Sequence, residues 1–281
     1  MKRLDRLYMG TNTKMYKTIS DTTAFLSRLD QLTADIPADC LELFVIPSYT
    51  ALESASRTAA GGRIRVGAQN MGWEDEGQFT GEISPVMLQE IGVNLAMIGH
   101  SERRHVFGET DREEEKKVAK ALSSGFTALL CIGETAQDKA YGLSDETLRA
   151  QLKIGLHSIT REQAANLWIA YEPVWAIGVN GVPADERYAD ERHRVIKETL
   201  SELFGPETGP DIPVLYGGSV NPENAPLLIQ MPHIDGLFIG RSAWDADRFN
   251  AIIRTVLPRF GSRKNAASPL SDSCKSQKEV I

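Results

Sequence analysis

Three ionisable side chains stand at or just after short apolar runs in the sequence. Lys14 follows the run at 7–10, His100 ends the run at 94–100, and Glu172 lies near the end of the run at 167–173. A lysine in such a place offers a fixed positive charge to an anion. A carboxylate that is partly buried after apolar residues has the raised proton affinity of a general base. These residue types suit acid–base chemistry on an anionic ligand.

Each of the three also has an interpretation without chemistry. Lys14 by itself is better explained as a lysine in solvent, a loop histidine such as His100 is often a surface residue, and Glu172 could belong to an ordinary strand–helix connection. In favour of chemistry at His100, Gly99 permits close backbone approach and Ser101-Glu102 can begin a helical turn. The N-terminus of a helix favours the neutral imidazole of a histidine beside it.

Two glycine turns and one long loop could serve a ligand. Gly217-Gly218-Ser219 and Gly240-Arg241-Ser242 end the runs at 213–218 and 236–241, and small residues leave backbone N–H groups open to an anion. Two such turns on the last two predicted strands indicate a phosphate site. The segment 173–183 has proline at both ends and glycine inside, which predicts a lid, with an ordinary loop as the alternative.

The apolar runs alternate with helical patterns, which makes eight strand-then-helix units. Continuous apolar runs of this length are typical of parallel strands buried on both faces. Eight units favour a closed α/β barrel, (β/α)8, over an open doubly wound sheet, and catalytic residues of such a barrel lie where strands end. The predicted strands are 7–10, 41–47, 64–70, 94–100, 127–133, 167–173, 213–218 and 236–241.

Helix starts are predicted from N-cap residue types at Ser20-Asp21, Thr110-Asp111 and Ser144-Asp145. The stretch 185–204 predicts one helix with an apolar face and charged residues opposite. That face is formed by Tyr188, Val195, Ile196, Leu200, Leu203 and Phe204.

The 281 residues predict a single barrel domain at 1–261 and a flexible polar tail at 262–281. The formal net charge of −7 argues against nucleic-acid binding, which depends on lysine and arginine. No apolar stretch approaches the roughly 18 residues of a membrane helix, and no secretory signal is visible after Met1. We therefore expect a cytoplasmic protein that binds neither nucleic acid nor membrane.

Seven segments, taken in order, resemble the triosephosphate isomerase family over roughly residues 7–260. The resemblance implies a TIM barrel and an isomerase that moves a carbonyl group through an enediol and needs no metal or organic cofactor. It also implies a homodimer formed through the loop at 69–84. The segments are Asn12-x-Lys14-Met15, Val66–Asn70, Phe79–Ser84, Ile98–Arg104, Cys131–Thr135, Tyr171–Gly178 and Tyr216–Asn221.

The resemblance also implies roles for catalytic residues. Glu172 is the base that removes a proton from the carbon beside a carbonyl, and neutral His100 polarises that carbonyl and shuttles protons. Lys14 stabilises negative charge with Asn12 beside it, and Glu102 supports this side of the site.

At the other end of the substrate, the resemblance assigns a phosphate to Gly178, Ser219, Gly240 and the N–H of Arg241, under a lid at 173–183.

Four places depart from the common family pattern, namely Thr13, Tyr16, the lid tip at 179–184 and Arg241. The last two resemble the branch that isomerises erythrulose phosphates in tetritol catabolism, which suggests L-erythrulose 1-phosphate as substrate and D-erythrulose 4-phosphate as product. The alternatives are the triosephosphate isomerase reaction and a non-catalytic barrel that binds sugar phosphates. Thr13 and Tyr16 fit neither branch. The Arg241 side chain either adds charge near the phosphate or stays in solvent.

Overall fold

The computed structural model describes residues 3–177 and 181–267, which form a ring of eight parallel strands surrounded by helices. Each predicted apolar run holds one strand, and the first strand continues past its run at 7–10 to Asn12. The strands are β1 (Leu7–Asn12), β2 (Leu41–Ile46), β3 (Ile64–Val66), β4 (Leu95–Ile98), β5 (Thr127–Ile132), β6 (Leu167–Tyr171), β7 (Val214–Tyr216) and β8 (Gly236–Ile239).

Strand pairing confirms the predicted barrel. Neighbouring strands follow the order β3-β2-β1-β8-β7-β6-β5-β4, with Leu7 of β1 opposite Leu41 of β2. Between β3 and β4 the ring is completed by an isolated parallel bridge between Ala68 and Ala96, where the N–H of Ala68 donates to the carbonyl of Leu95 at 2.8 Å. The eight carboxyl ends therefore meet around one mouth, as they do in every (β/α)8 barrel.

The helices form the outer layer. The predicted helix at 185–204 is present, with Val195, Ile196, Leu200 and Phe204 buried, whereas Tyr188 is half-buried. The helices are α1 (Ile19–Thr33), α2 (Tyr49–Ala59), α3 (Pro85–Glu90), α4 (Ser101–His105), α5 (Asp111–Ser123), α6 (Ala136–Ala140), α7 (Ser144–Gly155), α8 (Glu186–Phe204), α9 (Ala225–Leu228) and α10 (Ala246–Ala267).

Helix caps agree with the sequence at one of three predicted starts. Thr110 caps α5 as expected. The cap of α1 is Thr18 rather than Ser20, because Thr18 forms a reciprocal pair of hydrogen bonds with Asp21 three residues later. Ser144 is the first residue of α7, after Leu143 in the cap position. A threonine followed three residues later by an acidic residue thus predicts the N-cap better than the type of the cap residue alone.

Two apolar clusters fill the barrel. One lies between the strands and the helices, and the other lies inside the ring, where Phe44, Trp168 and Phe238 pack ring against ring. Gly10 makes room for them, since a Cβ there would come within 2.0 Å of the Phe44 ring. The interior is therefore a packed core, and a ligand can enter only at the mouth.

The last helix extends past the predicted domain boundary. Residues 262–267 are helical rather than part of a tail, and Arg263 donates hydrogen bonds to the carbonyls of Ile229 at 3.1 Å and Ile234 at 2.7 Å. The remaining residues of the predicted tail, 268–281, lie outside the described residues. Within the described part of the chain, no helix has the length and apolar character to cross a bilayer.

Candidate active site

A cavity of about 380 Å³ lies at the mouth of the barrel. It brings together every predicted site residue except Gly178, which lies outside the described residues. The predicted residues in the lining are Asn12, Lys14, His100, Glu102, Glu172, Ser219, Gly240 and Arg241. The lining is completed by Tyr16, Ala176, Ile177, Gly217, Gly218, Val220, Phe238, Ile239, Ser242 and Trp244.

His100 accepts a backbone hydrogen bond on one ring nitrogen and faces a carboxylate with the other. It occupies the N-cap position of α4, and its Nδ1 accepts a hydrogen bond from the N–H of Glu102 at 3.2 Å. Because Nδ1 is an acceptor, the ring proton is on Nε2. That Nε2 lies 3.5 Å from Oε1 of Glu172. A proton donor and a proton acceptor thus face the same space.

Glu172 is the residue after β6 and is only 3% exposed. Its Oε2 accepts a hydrogen bond from the N–H of Ser101 at 3.2 Å. Beside it lies the fully buried thiol of Cys131, whose pKa is raised well above its ordinary value by burial and then by the Glu172 carboxylate. The thiol is therefore neutral, and the carboxylate is the local group that can accept a proton.

Arg104 connects the carboxyl ends of β4 and β5 through hydrogen bonds. Its guanidinium donates to the carbonyl of Gly99 at 2.7 Å and to the carbonyl of Cys131 at 2.9 Å, and it forms an ion pair with buried Glu114. Burial raises the pKa of Glu114 to about 8 despite the neighbouring arginine. Since Gly99 directly precedes His100, this cluster sets the backbone from which the imidazole projects.

The glycine at 217 leaves the space that the Glu172 side chain occupies. A Cβ at Gly217 would lie 2.9 Å from Cγ of Glu172 and 3.3 Å from the carbonyl of Tyr171. We expect Gly217→Ala to lower kcat roughly 10–100-fold, because a shift of about 1 Å in a catalytic group has effects of that size. Steady-state kinetics would measure it. Gly261→Ala, where a Cβ meets no atom within 4 Å, is the control, and equal kcat values for the two variants would contradict the prediction.

Lys14 lies in a turn with a left-handed backbone, φ +53°. Its N–H donates to Oδ1 of Asn12 at 2.8 Å, and Nε2 of Gln69 donates to the same oxygen at 3.1 Å and to the carbonyl of Lys14 at 2.8 Å. The ammonium group pairs with Glu102 at 2.7 Å. Sequence reasoning assigned no role to Gln69, and the available signal was its place in the motif Val66–Asn70 after β3.

The opposite side of the cavity is made of small residues and one cation. Gly240 has φ −81° and ψ −124°, and a Cβ there would meet nothing within 4 Å, so it would project into open space. Arg241 follows as the first residue of a 3-10 turn, and its guanidinium forms no ion pair with any described residue. Ser219 lies in the loop after β7. Backbone N–H groups and a free cation are what an anion requires.

The predicted lid is described at both ends. Val174–Ala176 forms a 3-10 turn, and Gly181 lies so close to the Ala176 backbone that a Cβ would come within 2.6 Å. Nε1 of Trp175 donates to buried Glu134 at 2.8 Å, and the hydroxyl of Tyr171 donates to the same oxygen at 3.0 Å. Closure of this segment over a ligand stays a prediction.

His193 of α8 supports the strands that carry Glu172 and Gly217. It is fully buried against the rings of Tyr171 and Tyr216, and burial lowers its pKa to about 3. The unfolded chain has a histidine pKa near 6.5. Between these values the unfolded chain binds one more proton than the folded chain, so stability falls as the pH falls from about 6.5 towards 3.

We therefore expect the free energy of unfolding to have a smaller pH dependence in His193→Gln. The slope between pH 6 and pH 4 should decrease by about 1.4 kcal/mol per pH unit, the value for one proton. Urea unfolding at several pH values measures this slope. His157→Gln, at an exposed histidine, is the control; an unchanged slope in His193→Gln would show that this histidine is protonated in the folded protein.

Within residues 3–177 and 181–267, no group of three or more His, Cys, Asp or Glu side chains is placed to hold a metal ion.

A histidine facing a buried carboxylate, an amine and a turn of small residues with one arginine thus line one cavity at the mouth of a (β/α)8 barrel, the arrangement predicted for a sugar-phosphate isomerase. The chain belongs to the triosephosphate isomerase family, whose model matches residues 7–256. The enzyme class predicted from the sequence is confirmed.

Relatives within this family are similar over nearly the whole chain. L-erythrulose-1-phosphate isomerase of Rhizobium etli (strain ATCC 51251 / DSM 11541 / JCM 21823 / NBRC 15573 / CFN 42) is 48% identical over 93% of this chain and 97% of its own. The protein of the same name from Rhizobium meliloti (strain 1021) is 46% identical over 89% and 96%. That of Brucella abortus (strain 2308) is 41% identical over 89% and 96%. The resemblance to the erythrulose phosphate branch is confirmed.

Proposed function

We propose that the protein interconverts L-erythrulose 1-phosphate and D-erythrulose 4-phosphate. The observation that best supports this chemistry is the distance of 3.5 Å between Nε2 of His100 and the Glu172 carboxylate. The same cavity is lined by Lys14 and by Arg241. The choice of a four-carbon substrate is supported by the names of relatives that are 41–48% identical.

The proposed reaction moves one proton between neighbouring carbons. In L-erythrulose 1-phosphate the carbonyl is at C2, and C3 carries a hydrogen and a hydroxyl. Glu172 takes the C3 proton, the electron pair forms a C2–C3 double bond, and charge develops on O2. His100 gives its Nε2 proton to O2 and takes the O3 proton, while the Lys14 ammonium stabilises the negative charge.

Glu172 then returns the proton to C2, which leaves the carbonyl at C3. Numbered from the other end, the product is D-erythrulose 4-phosphate. No electron leaves or enters the substrate, so the reaction balances without a redox cofactor, and the oxyanion is stabilised by donors of the protein. Asn12 and Glu102 orient Lys14 in this proposal.

Measuring kcat/KM on both candidate substrates tests the four-carbon proposal. We expect kcat/KM for L-erythrulose 1-phosphate to exceed that for dihydroxyacetone phosphate by about 10–200-fold. This is the usual discrimination of a pocket between substrates that differ by one small group. The competing candidate is the triosephosphate isomerase reaction, which the description of the matching family favours. A larger kcat/KM on the three-carbon substrate would decide for it. The third alternative, a non-catalytic barrel, is set aside because the family and the relatives are isomerases.

The phosphate end of the proposed site consists of Ser219, Gly240, Arg241 and Gly178. Lys14 is already paired with Glu102, so Arg241 supplies the positive charge of the described lining that has no carboxylate partner. A phosphate dianion needs such a charge.

We expect Arg241→Gln to lower kcat/KM roughly 10–100-fold, mainly through KM, as for the loss of a charged hydrogen bond. The same variant should weaken binding of inorganic phosphate measured by calorimetry. Arg248→Gln removes an equally exposed arginine outside the cavity lining and should change neither value. If both variants behave alike, the guanidinium of Arg241 stays in solvent.

We also propose that the protein is a homodimer through the loop at 69–84. Several large apolar side chains around this loop are exposed, including Phe79 at 45%, Phe107 at 66% and Met15 at 94%. Gln69 bonds to the carbonyl of Lys14 beside Met15, and Asn70 bonds to Glu109 two residues after Phe107, so these side chains belong to neighbouring loops. Exposed apolar surface of this kind is typical of an interface.

Sedimentation equilibrium tests the dimer. The wild-type chain should have twice the monomer mass, and Phe79→Asp should shift it towards the monomer. Tyr141→Asp, at an exposed tyrosine of the α6 end, should leave the mass unchanged. A monomer mass for the wild type at micromolar concentration would end this proposal.

We place the activity in the cytoplasm, because a sugar phosphate is a dianion that does not cross a bilayer unaided and is used where it is made. Cell fractionation with an antibody against the chain would test this placement.

A further inference from the structure

Two aromatic residues from opposite ends of the chain form one wall of the cavity. Tyr16 belongs to the turn after β1, and Trp244 directly follows the 3-10 turn after β8. Their ring centroids are 4.6 Å apart with an interplanar angle of 41°. Nε1 of Trp244 donates to the main-chain carbonyl of Asn12 at 2.9 Å. Both side chains line the cavity.

The turn between Asn12 and Tyr16 needs external support. Lys14 has a positive φ of +53°, a conformation that non-glycine residues keep only when their surroundings hold it. Gln69 bonds to the Asn12 side chain and to the Lys14 carbonyl. The Trp244 indole adds a hydrogen bond to the Asn12 carbonyl and a ring contact with Tyr16.

The same indole connects two functions of the site. Trp244 stands three residues after Arg241, on the turn that begins at the proposed phosphate end. Its indole donates a hydrogen bond to Asn12 and contacts the ring of Tyr16, and these two residues flank Lys14 in the sequence. A single rigid side chain therefore connects the two turns.

We propose that Trp244 and Tyr16 are positioning residues that hold the Lys14 turn in its reactive geometry and join it to the phosphate turn. The proposal rests on the proposed function for its catalytic consequence. It assigns these side chains an action through Lys14 and no contact with the reacting atoms.

Trp244→Phe is the sharpest variant, since it keeps an aromatic ring at this position while it removes the Nε1–H donor and part of the ring surface. We expect kcat on L-erythrulose 1-phosphate to fall about 10-fold with KM changed less than threefold, because Lys14 acts on charge that develops in the transition state. Tyr16→Leu should have an effect of similar size. Tyr141→Leu, at an exposed tyrosine outside the lining, should keep the wild-type kcat.

A double-mutant cycle separates positioning from a direct or merely structural role. In a Lys14→Met background, Trp244→Phe should cause no further loss of kcat, because the group that it positions is gone. An additive 10-fold loss would overturn the proposal.

A crystal structure of Trp244→Phe gives a readout that does not depend on the substrate. We expect Nζ of Lys14 to move by at least about 1 Å from its place beside Glu102, a shift that is costly for a catalytic group. An unchanged turn would overturn the inference even if the enzyme is active. A displaced Lys14 in Trp244→Phe, together with a wild-type enzyme that is inactive on L-erythrulose 1-phosphate, would support the inference and contradict the proposed substrate.

Discussion

Glu172→Gln is expected to reduce kcat about 10²–10⁴-fold, the contribution of a general base. Glutamine keeps the size of the side chain, and its amide oxygen can still accept the N–H of Ser101, which now donates to the carboxylate at 3.2 Å. It cannot take a proton from carbon. The fold is therefore retained while the chemical step is lost, and KM should change little.

Proton exchange with solvent provides the decisive measurement for Glu172. In D₂O, the wild-type enzyme should place deuterium on the substrate carbon next to the carbonyl, whereas Glu172→Gln should not. Glu146→Gln, at an exposed glutamate of α7, controls for the loss of one negative charge. Normal deuterium incorporation in Glu172→Gln would mean that another group is the base.

Lys14→Met should lower kcat roughly 10²–10³-fold, as for the removal of one donor to a developing oxyanion. The ammonium group lies 2.7 Å from Glu102 and borders the cavity that contains His100 and Glu172. Because the Glu102 side chain is 47% exposed, it can be hydrated when its partner is lost, so the cost in folding stability should stay below about 1 kcal/mol. The loss therefore belongs to the transition state.

Lys153→Met is a matched control for Lys14→Met. It also removes a lysine–glutamate ion pair, here with Glu202 at 3.3 Å, but far from the cavity lining. Kinetics and thermal unfolding of both variants should show similar melting temperatures and very different kcat values. Equal kcat values would show that Lys14 acts only as a surface charge.

The strands and the catalytic residues were predictable because local sequence expresses them. A parallel strand buried on both faces requires a continuous apolar run, and each of the eight runs became a strand. A barrel brings all carboxyl ends to one mouth, so residues that follow separate runs, such as Lys14, His100 and Glu172, were expected to meet there. They line one cavity. Their individual roles remain predictions.

Element ends were less predictable, because they depend on interactions between residues. The start of α1 was determined by the Thr18–Asp21 pair rather than by the residue type of Ser20. The last helix continued to Ala267 through a polar stretch, since Arg263 bonds to carbonyl groups after α9. The polar composition of that stretch gave no sign of these contacts.

The sequence by itself determined the barrel, the enzyme class and the histidine, carboxylate and amine that line its mouth. Only the tertiary structure decided how they are held. It placed Nε2 of His100 opposite Glu172, and it brought both Gln69 and Trp244 into hydrogen bonds with the Lys14 turn. Trp244 is 232 residues from its acceptor at Asn12. Apolar periodicity records which face of an element is buried, whereas a hydrogen bond between remote loops depends on where the closed ring brings their backbones.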